Sequence, residues 1–306
     1  MALDNIEILS DTELIKAAIS VASGGQLSAE QYNEFISTVV KDDDFLASGI
    51  TVYDGIESAN FEMDTLGLES RILRKGVEGT APAATEGVNI ARRTLSPKEY
   101  VLAFDITDKF LRRNIQKGTA DETIKALFMQ QCSNDLVDLC FNGDTDSGED
   151  FLDIMDGLIK RALADAGVHK STFANGDTMV SIMDAMLASM PKKWRKNKKL
   201  LKFYMSPDRL EQYKKELREK NTQLGDAMMV SDEEPKFNGV EIETVGVLDD
   251  KDVFLTRPNN FAVGFGLKMT IEAERAARKR ATEYTVCGEV DFNYVVPDML
   301  VYHRQV

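Results

Sequence analysis

Histidine is almost missing from this 306-residue chain: there are two, His169 and His303, and neither has a cysteine or a second histidine at ligand spacing. Zinc sites and histidine-based triads therefore lack their usual parts. Cysteine is scarce as well, with three residues. Cys132 and Cys140 fall on one face of a predicted helix about two turns, or roughly 12 Å, apart, beyond the ~4.4–6.8 Å Cα separation of a disulfide. Cys287 is far along the chain, so no disulfide framework is expected. No apolar run reaches the ~18 residues of a membrane span, and the opening MALDNIEILSDTE is acidic where a secretory leader is basic and then apolar. A chain made and used in a cytoplasm is expected. Cations are in deficit, 37 Lys and Arg against 51 Asp and Glu for a net charge of -14, which argues against a protein that wraps nucleic acid by neutralising phosphates. No Gly-rich phosphate loop occurs, since Gly246, Gly264 and Gly266 lie within predicted strands. Carboxylates bunch at Asp144-x-Asp146-x-Gly148-Glu149-Asp150, but the glycine and the distal acid are misplaced for an EF-hand. Catalysis, metal binding and cofactor binding are left without a candidate constellation.

What is present is pattern. Tyr100, Leu102, Phe104 and Ile106 alternate with Val101, Ala103 and Asp105, the period of a strand packed on one face. Thr119-x-x-Glu122 then reads as a capping box, and Ile124, Leu127, Phe128, Cys132, Leu136, Leu139 and Cys140 follow at helical steps until Asn142-Gly143. Such a helix is roughly 34 Å long at about 1.5 Å per residue.

Before this segment, residues 1–48 carry two short helical stripes around Ser23-Gly24-Gly25, one with Leu14 and one with Phe35, and neither buries its stripe alone. Residues 49–98 hold Phe61 and Met63 alternating with acids, the cations Arg71, Arg74 and Lys75, a small-residue tract and then Val88 and Ile90, the marks of a long hairpin. After it come two Met-rich helical patterns, which read as core filling. A short buried strand ends at Met205, and Ser206-Pro207 caps another helix. Beyond residue 240 the pattern is mostly β, giving an α+β class. One basic run stands out, with Lys192, Lys193, Trp194 and Arg195 leading into Lys196, Lys198 and Lys199. It reads as a solvated loop or as a contact with an acidic neighbour.

In this order of parts the chain resembles the major capsid proteins of tailed bacteriophages, the Hong Kong 97 fold. The phrases that carry the likeness are "LSPKEYVLAFDITDKFLRRN", "FNGDTDS", "IMDGLI", "LLKFYMSPDRLEQYKKEL", "FNGVEIETVGVL" and "EYTVCGEVDFNYVVPDMLVYHRQV". The resemblance implies an N-terminal arm (1–48), an extended β-hairpin loop (49–98), a peripheral domain with a long spine helix (99–166 and 281–306) and an axial domain (167–280). It implies a non-enzymatic subunit of an icosahedral head shell, assembled in a bacterial cytoplasm and carried in the virion, with no cofactor and no membrane. Its partners would be copies of itself in pentamers and hexamers, a portal, a scaffold or cement protein, and double-stranded DNA enclosed without sequence-specific binding. Leu14, Phe35, Arg71, Arg74, Lys75, Lys192, Lys193, Trp194 and Arg195 are the candidate subunit contacts. An encapsulin-type nanocompartment shares the fold and is the alternative; an ordinary cytoplasmic enzyme is a third reading.

Two departures from the family follow. A long scaffolding segment removed by a protease does not fit before an extended loop that begins near residue 50, so a separate scaffold is expected. The name-giving member joins subunits covalently through a loop lysine and an asparagine with a nearby glutamate; the matching positions here are Ala281 and Gly288, which lack that chemistry. Glu289 lies one step away, on the opposite face of a strand. Lys75 has no matched acceptor, so non-covalent clasping is expected.

Overall fold

The computed structural model describes residues 36–37, 40, 43–67, 89–109, 120–174, 176–219, 236–267 and 270–305. Two five-stranded sheets and a separate two-stranded ribbon carry the chain. The first sheet is organised by one strand, β11 (Ala281–Tyr294), whose 14 residues serve three neighbours. On one side its first half pairs antiparallel with β10 (Thr270–Ala276), and its second half with β9 (Phe261–Gly266). Its other side takes β4 (Lys98–Thr107), in register from Ala281↔Thr107 to Val290↔Lys98. β1 (Thr51–Ile56) adds to β9 in parallel.

The alternation in β4 works as its period requires: Tyr100 and Ile106 are buried, Leu102 and Phe104 half-buried, and Val101, Ala103 and Asp105 exposed. Phe104 lies in a run of stacked rings, 3.9 Å from Phe128 and 5.0 Å from Tyr284 between centroids. Phe128 belongs to the long helix α2 (Ala120–Asn142), which follows the four-residue α1 (Asp44–Ala47). Thr119 and the Glu122 side chain of the expected capping box lie outside what is described. At the other end α2 stops because Gly143 packs backbone to backbone against Gly157: a Cβ on Gly143 would lie 2.4 Å from the Met155 carbonyl, and the Gly157 amide donates to the Gly143 carbonyl at 2.8 Å. This contact starts α3 (Leu158–Ala164).

The second sheet runs β5 (His169–Phe173), β12 (Val301–Gln305), β8 (Asp252–Thr256), β6 (Lys202–Met205), β7 (Glu241–Thr244). Both faces of its central strands are buried, and alternate residues part company. Phe203, Met205, Val253, Leu255 and Val301 pack under α4 (Met179–Ser189) and α6 (Pro207–Glu219), whereas Tyr204, Phe254 and Tyr302 enter the main core shared with the first sheet and α2. The Met-rich pattern is core filling: Met179, Met183, Met186 and Met190 are buried against this sheet. Ser206 caps α6 as its position before a proline suggests, its Oγ accepting from the Arg209 amide at 3.2 Å.

Strand pairing groups the chain differently from the spans that sequence order suggests. β12 lies within 281–306 but is the second strand of the second sheet, and β9 and β10 lie within 167–280 but belong to the first. β11 needs partners along its whole length, and those partners come from both spans.

Candidate subunit interface

The ribbon is β2 (Phe61–Gly67) paired antiparallel with β3 (Asn89–Leu95), from Phe61↔Leu95 to Gly67↔Asn89. A lone two-stranded ribbon is marginal in water, so its orientation must be set elsewhere. The root of β3 does this residue by residue. Leu95 is fully buried with Ile56, Met63 and Ala262. The Arg93 guanidinium pairs with Asp165 and lies 4.4 Å above the Tyr294 ring, whose hydroxyl donates to the same carboxylate at 2.8 Å. Thr94 accepts from the Asn293 amide nitrogen at 2.8 Å, and the Ser96 amide donates to Asp291 at 2.7 Å.

Asp291 is the deepest part of this anchor, its side chain 1% exposed and paired with Arg161 at 2.6 Å. Burial pushes its carboxyl above the usual carboxylate range, against the pull of Arg161 and the Ser96 and Phe292 amides. The pair thus specifies where the hairpin root sits on β11 and α3 more than it adds net stability, since desolvating two charges offsets much of their attraction.

Beyond the root the ribbon is bare. Glu62, Asp64, Leu66, Ile90 and Arg92 share one face by register. Arg92 spans Glu62 and Asp64 at 3.0 and 3.1 Å, a half-exposed arrangement of little net strength. Leu66 and Ile90 sit directly opposite each other, 71% and 51% exposed. Sequence reading missed this pair; the signal was parity, since Leu66 is in phase with Glu62 and Asp64 rather than with buried Met63. Of the expected contacts, Leu14, Phe35, Arg71, Arg74 and Lys75 lie outside the described residues.

The basic run is not simply a loop. It folds into a helical turn, α5 (Lys192–Arg195), clamped on one carboxylate: Asp298 takes the Lys193 ammonium, the Trp194 indole N–H at 3.2 Å and His169 Nε2 at 3.0 Å. The Lys193 ammonium and the Arg257 guanidinium lie over the Trp194 ring at 5.1 and 5.3 Å, and Arg195 donates to the Leu187 carbonyl at 3.0 Å. The structure therefore brings Lys193, Trp194 and Arg195 onto the body of the subunit and leaves Lys192 exposed beside Lys196 and Lys199.

The carboxylate bunch after α2 holds a cation of its own. The Lys160 ammonium lies 2.6 Å from Asp144, 2.7 Å from Asp146 and 2.7 Å from Asp156, with Thr145 Oγ1 at 3.1 Å. These bonds raise the lysine pKa, and hydrogen bonds from Lys160 and the Asp146 amide lower that of Asp144. Burial raises Asp156, but its bonds from Lys160 and Thr145 outweigh it and leave that carboxyl low. Among the described residues no cluster of three or more His, Cys, Asp or Glu is disposed to hold a metal. His303 is buried in β12, and desolvation pushes its pKa down to about 4. Burial pushes Cys132 up to about 11 and Cys140 well above the usual range, so both are protonated core residues. No described helix is long and apolar enough to cross a membrane.

The two positions that the resemblance sets at the covalent link, Ala281 and Gly288, are filled for packing. Ala281 is buried and pairs with both Ala276 and Thr107. Gly288 lies under the Tyr100 ring: a Cβ there would be 2.7 Å from the hydroxyl oxygen and 2.8 Å from Cζ.

No family model matches the chain. It is 26% identical over 307 residues, 94% of each chain, to YqbE of Bacillus subtilis (strain 168), a protein named for a prophage capsid. Among solved structures it is similar to the satellite phage P4 procapsid that includes the size determination (Sid) protein, with a TM-score of 0.70 at 13% identity over 96% of this chain and 97% of that one. It is also similar to the capsid of the native GTA particle, with a TM-score of 0.59 at 11% identity over 85% and 89%. At such low identity these likenesses speak to the fold, which is that of phage capsid subunits.

Proposed function

We infer that this chain is a phage-type major capsid protein of the Hong Kong 97 fold, a shell subunit whose work is done by its surfaces. The observation that carries the reading is the β2–β3 hairpin, locked at its root by Arg93, Leu95, Ser96 and Asp291 and bare at Leu66 and Ile90. A ribbon held rigid at one end with an uncovered apolar pair beyond it is built to lie on something, and in a shell that surface is the next subunit. Each such contact is weak, and many of them sum through closure.

In this reading residues 1–48 are an arm and 49–98 the extended loop. The peripheral domain is 99–166 with 281–306, and the axial domain is 167–280, with strands exchanged between them as the two sheets require. Copies meet in pentamers and hexamers, and a portal and a scaffold or cement protein join the shell. The particle encloses double-stranded DNA without reading its sequence, is assembled in the bacterial cytoplasm, and the subunit's role is structural rather than catalytic. An acidic chain with net charge -14 suits a wall that DNA slides past.

The test is to express the full chain and examine it by sedimentation and negative-stain microscopy. Capsomers or closed shells are expected. A sharp 34.1 kDa monomer at every salt and concentration removes the shell reading. The content of purified particles then separates a phage head, with DNA, from a nanocompartment, with a protein cargo.

A further inference from the structure

Two surface patches of this subunit carry opposite charges that it does not neutralise itself. On the turn containing α5 stand Lys192, Lys193, Arg195, Lys196, Lys198 and Lys199, and among the described residues the acid paired with them is Asp298 alone, through Lys193. On the loop between α2 and α3 stand Asp144, Asp146, Glu149, Asp150, Asp153 and Asp156, and their paired cation among the described residues is Lys160 alone. The surpluses are equal and opposite. Each patch also exposes one large apolar side chain at its edge, Leu200 at 49% beside the cations and Phe151 at 37% beside the acids. Such a side chain adds burial to a charge-matched contact.

We propose that the basic turn of one subunit docks on the acidic 144–156 loop of a second copy. The inference rests on the shell reading. It makes the contact heterologous, the kind that closes rings when the rotation between copies closes. A second copy is favoured over nucleic acid because every subunit brings the acidic patch in the same number as the basic one, with a matching apolar neighbour that a phosphate backbone lacks. The clamp on Asp298 has a purpose in this arrangement. It holds the turn rigid, so that the remaining cations meet the partner without first being ordered.

The experiment compares full-chain variants by the threshold concentration for particle formation, read by light scattering and sedimentation. One reverses the turn (Lys196→Glu, Lys198→Glu, Lys199→Glu) and leaves the Asp298 clamp intact. One reverses the loop (Glu149→Lys, Asp150→Lys, Asp153→Lys) and leaves the Lys160 cluster intact. The third carries all six changes. Each triple variant should keep the wild-type circular dichroism and raise the threshold about tenfold or more at low salt, and the sextuple variant should return to within about threefold of wild type. A Lys→Gln version of the turn gives a smaller rise in the same direction and guards against a misfolded reversal. Triple variants that assemble at the wild-type threshold, or a sextuple variant no better than the worse triple, overturn the contact while leaving the shell reading standing. So does a turn variant that assembles normally but encloses less nucleic acid, which would assign the turn to phosphate. A wild-type chain that never assembles removes the shell reading, and this contact with it.

Discussion

Replacing Gly288 with alanine separates two physical expectations by sign. In a strand, Gly→Ala ordinarily stabilises by about 0.5–1 kcal/mol, because the unfolded chain loses freedom. Here the new methyl would sit 2.7 Å from the Tyr100 hydroxyl oxygen, 2.8 Å from Cζ and 3.1 Å from Cε1. Tyr100 is 7% exposed, in the main core, and paired directly with Gly288 across β4 and β11, so its flat ring has nowhere to retreat without moving the sheet. Overpacking of this kind costs about 1–3 kcal/mol, which outweighs the entropic gain. Gly288→Ala should therefore lower Tm by about 1–4 °C in a chain of this size. Tyr100→Leu costs stability of its own but frees the space, so Gly288→Ala in that background should be neutral or mildly stabilising, a coupling of about 1 kcal/mol or more. Melting of the unassembled subunit, by circular dichroism and by urea titration, measures all four corners of the cycle. A Gly288→Ala variant that melts higher than wild type, or one that costs the same with and without the tyrosine ring, refutes the argument. The same contact explains why a glutamate does not fit at this position.

Three further outcomes follow from the site. Lys160→Ala should melt lower than wild type and recover part of the loss at high salt, because Asp144, Asp146 and Asp156 lose their shared cation and repel one another across a partly exposed loop; a loss independent of salt argues against that geometry. The His303 pKa is depressed from 6.5 to about 4, so its contribution to stability is whole above pH 6.5 and declines as the pH falls from there through about 4; stability measured across that window should slope less in His303→Phe, and an unchanged slope assigns the effect elsewhere. Mature shells boiled in detergent should run as one band at 34.1 kDa, if the resemblance rightly sets Ala281 and Gly288 at the positions of the covalent link, whereas a ladder resistant to reductant would show covalent joining by another route.

Residues a few positions apart were enough to settle the local elements. The two-residue alternation from Tyr100 to Ile106 makes a strand with one buried face, and the three- and four-residue steps from Phe128 to Cys140 make a helix. Ser206 before Pro207 starts another, because caps and periods are dictated by backbone geometry within a turn or two. The order of these parts along the chain was enough for the resemblance to phage capsid proteins. What the sequence did not settle is which distant segments meet. β11 takes β4, β9 and β10 as neighbours, β12 crosses to the second sheet, and Asp291 waits for an arginine 130 residues away. The acidic loop resembles a cation site until Lys160 is seen inside it, and the basic run resembles a solvated loop until Asp298, 104 residues from Trp194, is seen to clamp it. The exposure of Leu66 and Ile90 depends on which ribbon face Leu95 and Met63 turn to the body. These outcomes belong to tertiary structure because strand pairing and charge neutralisation depend on where the folded chain brings its ends, and no local period encodes that distance.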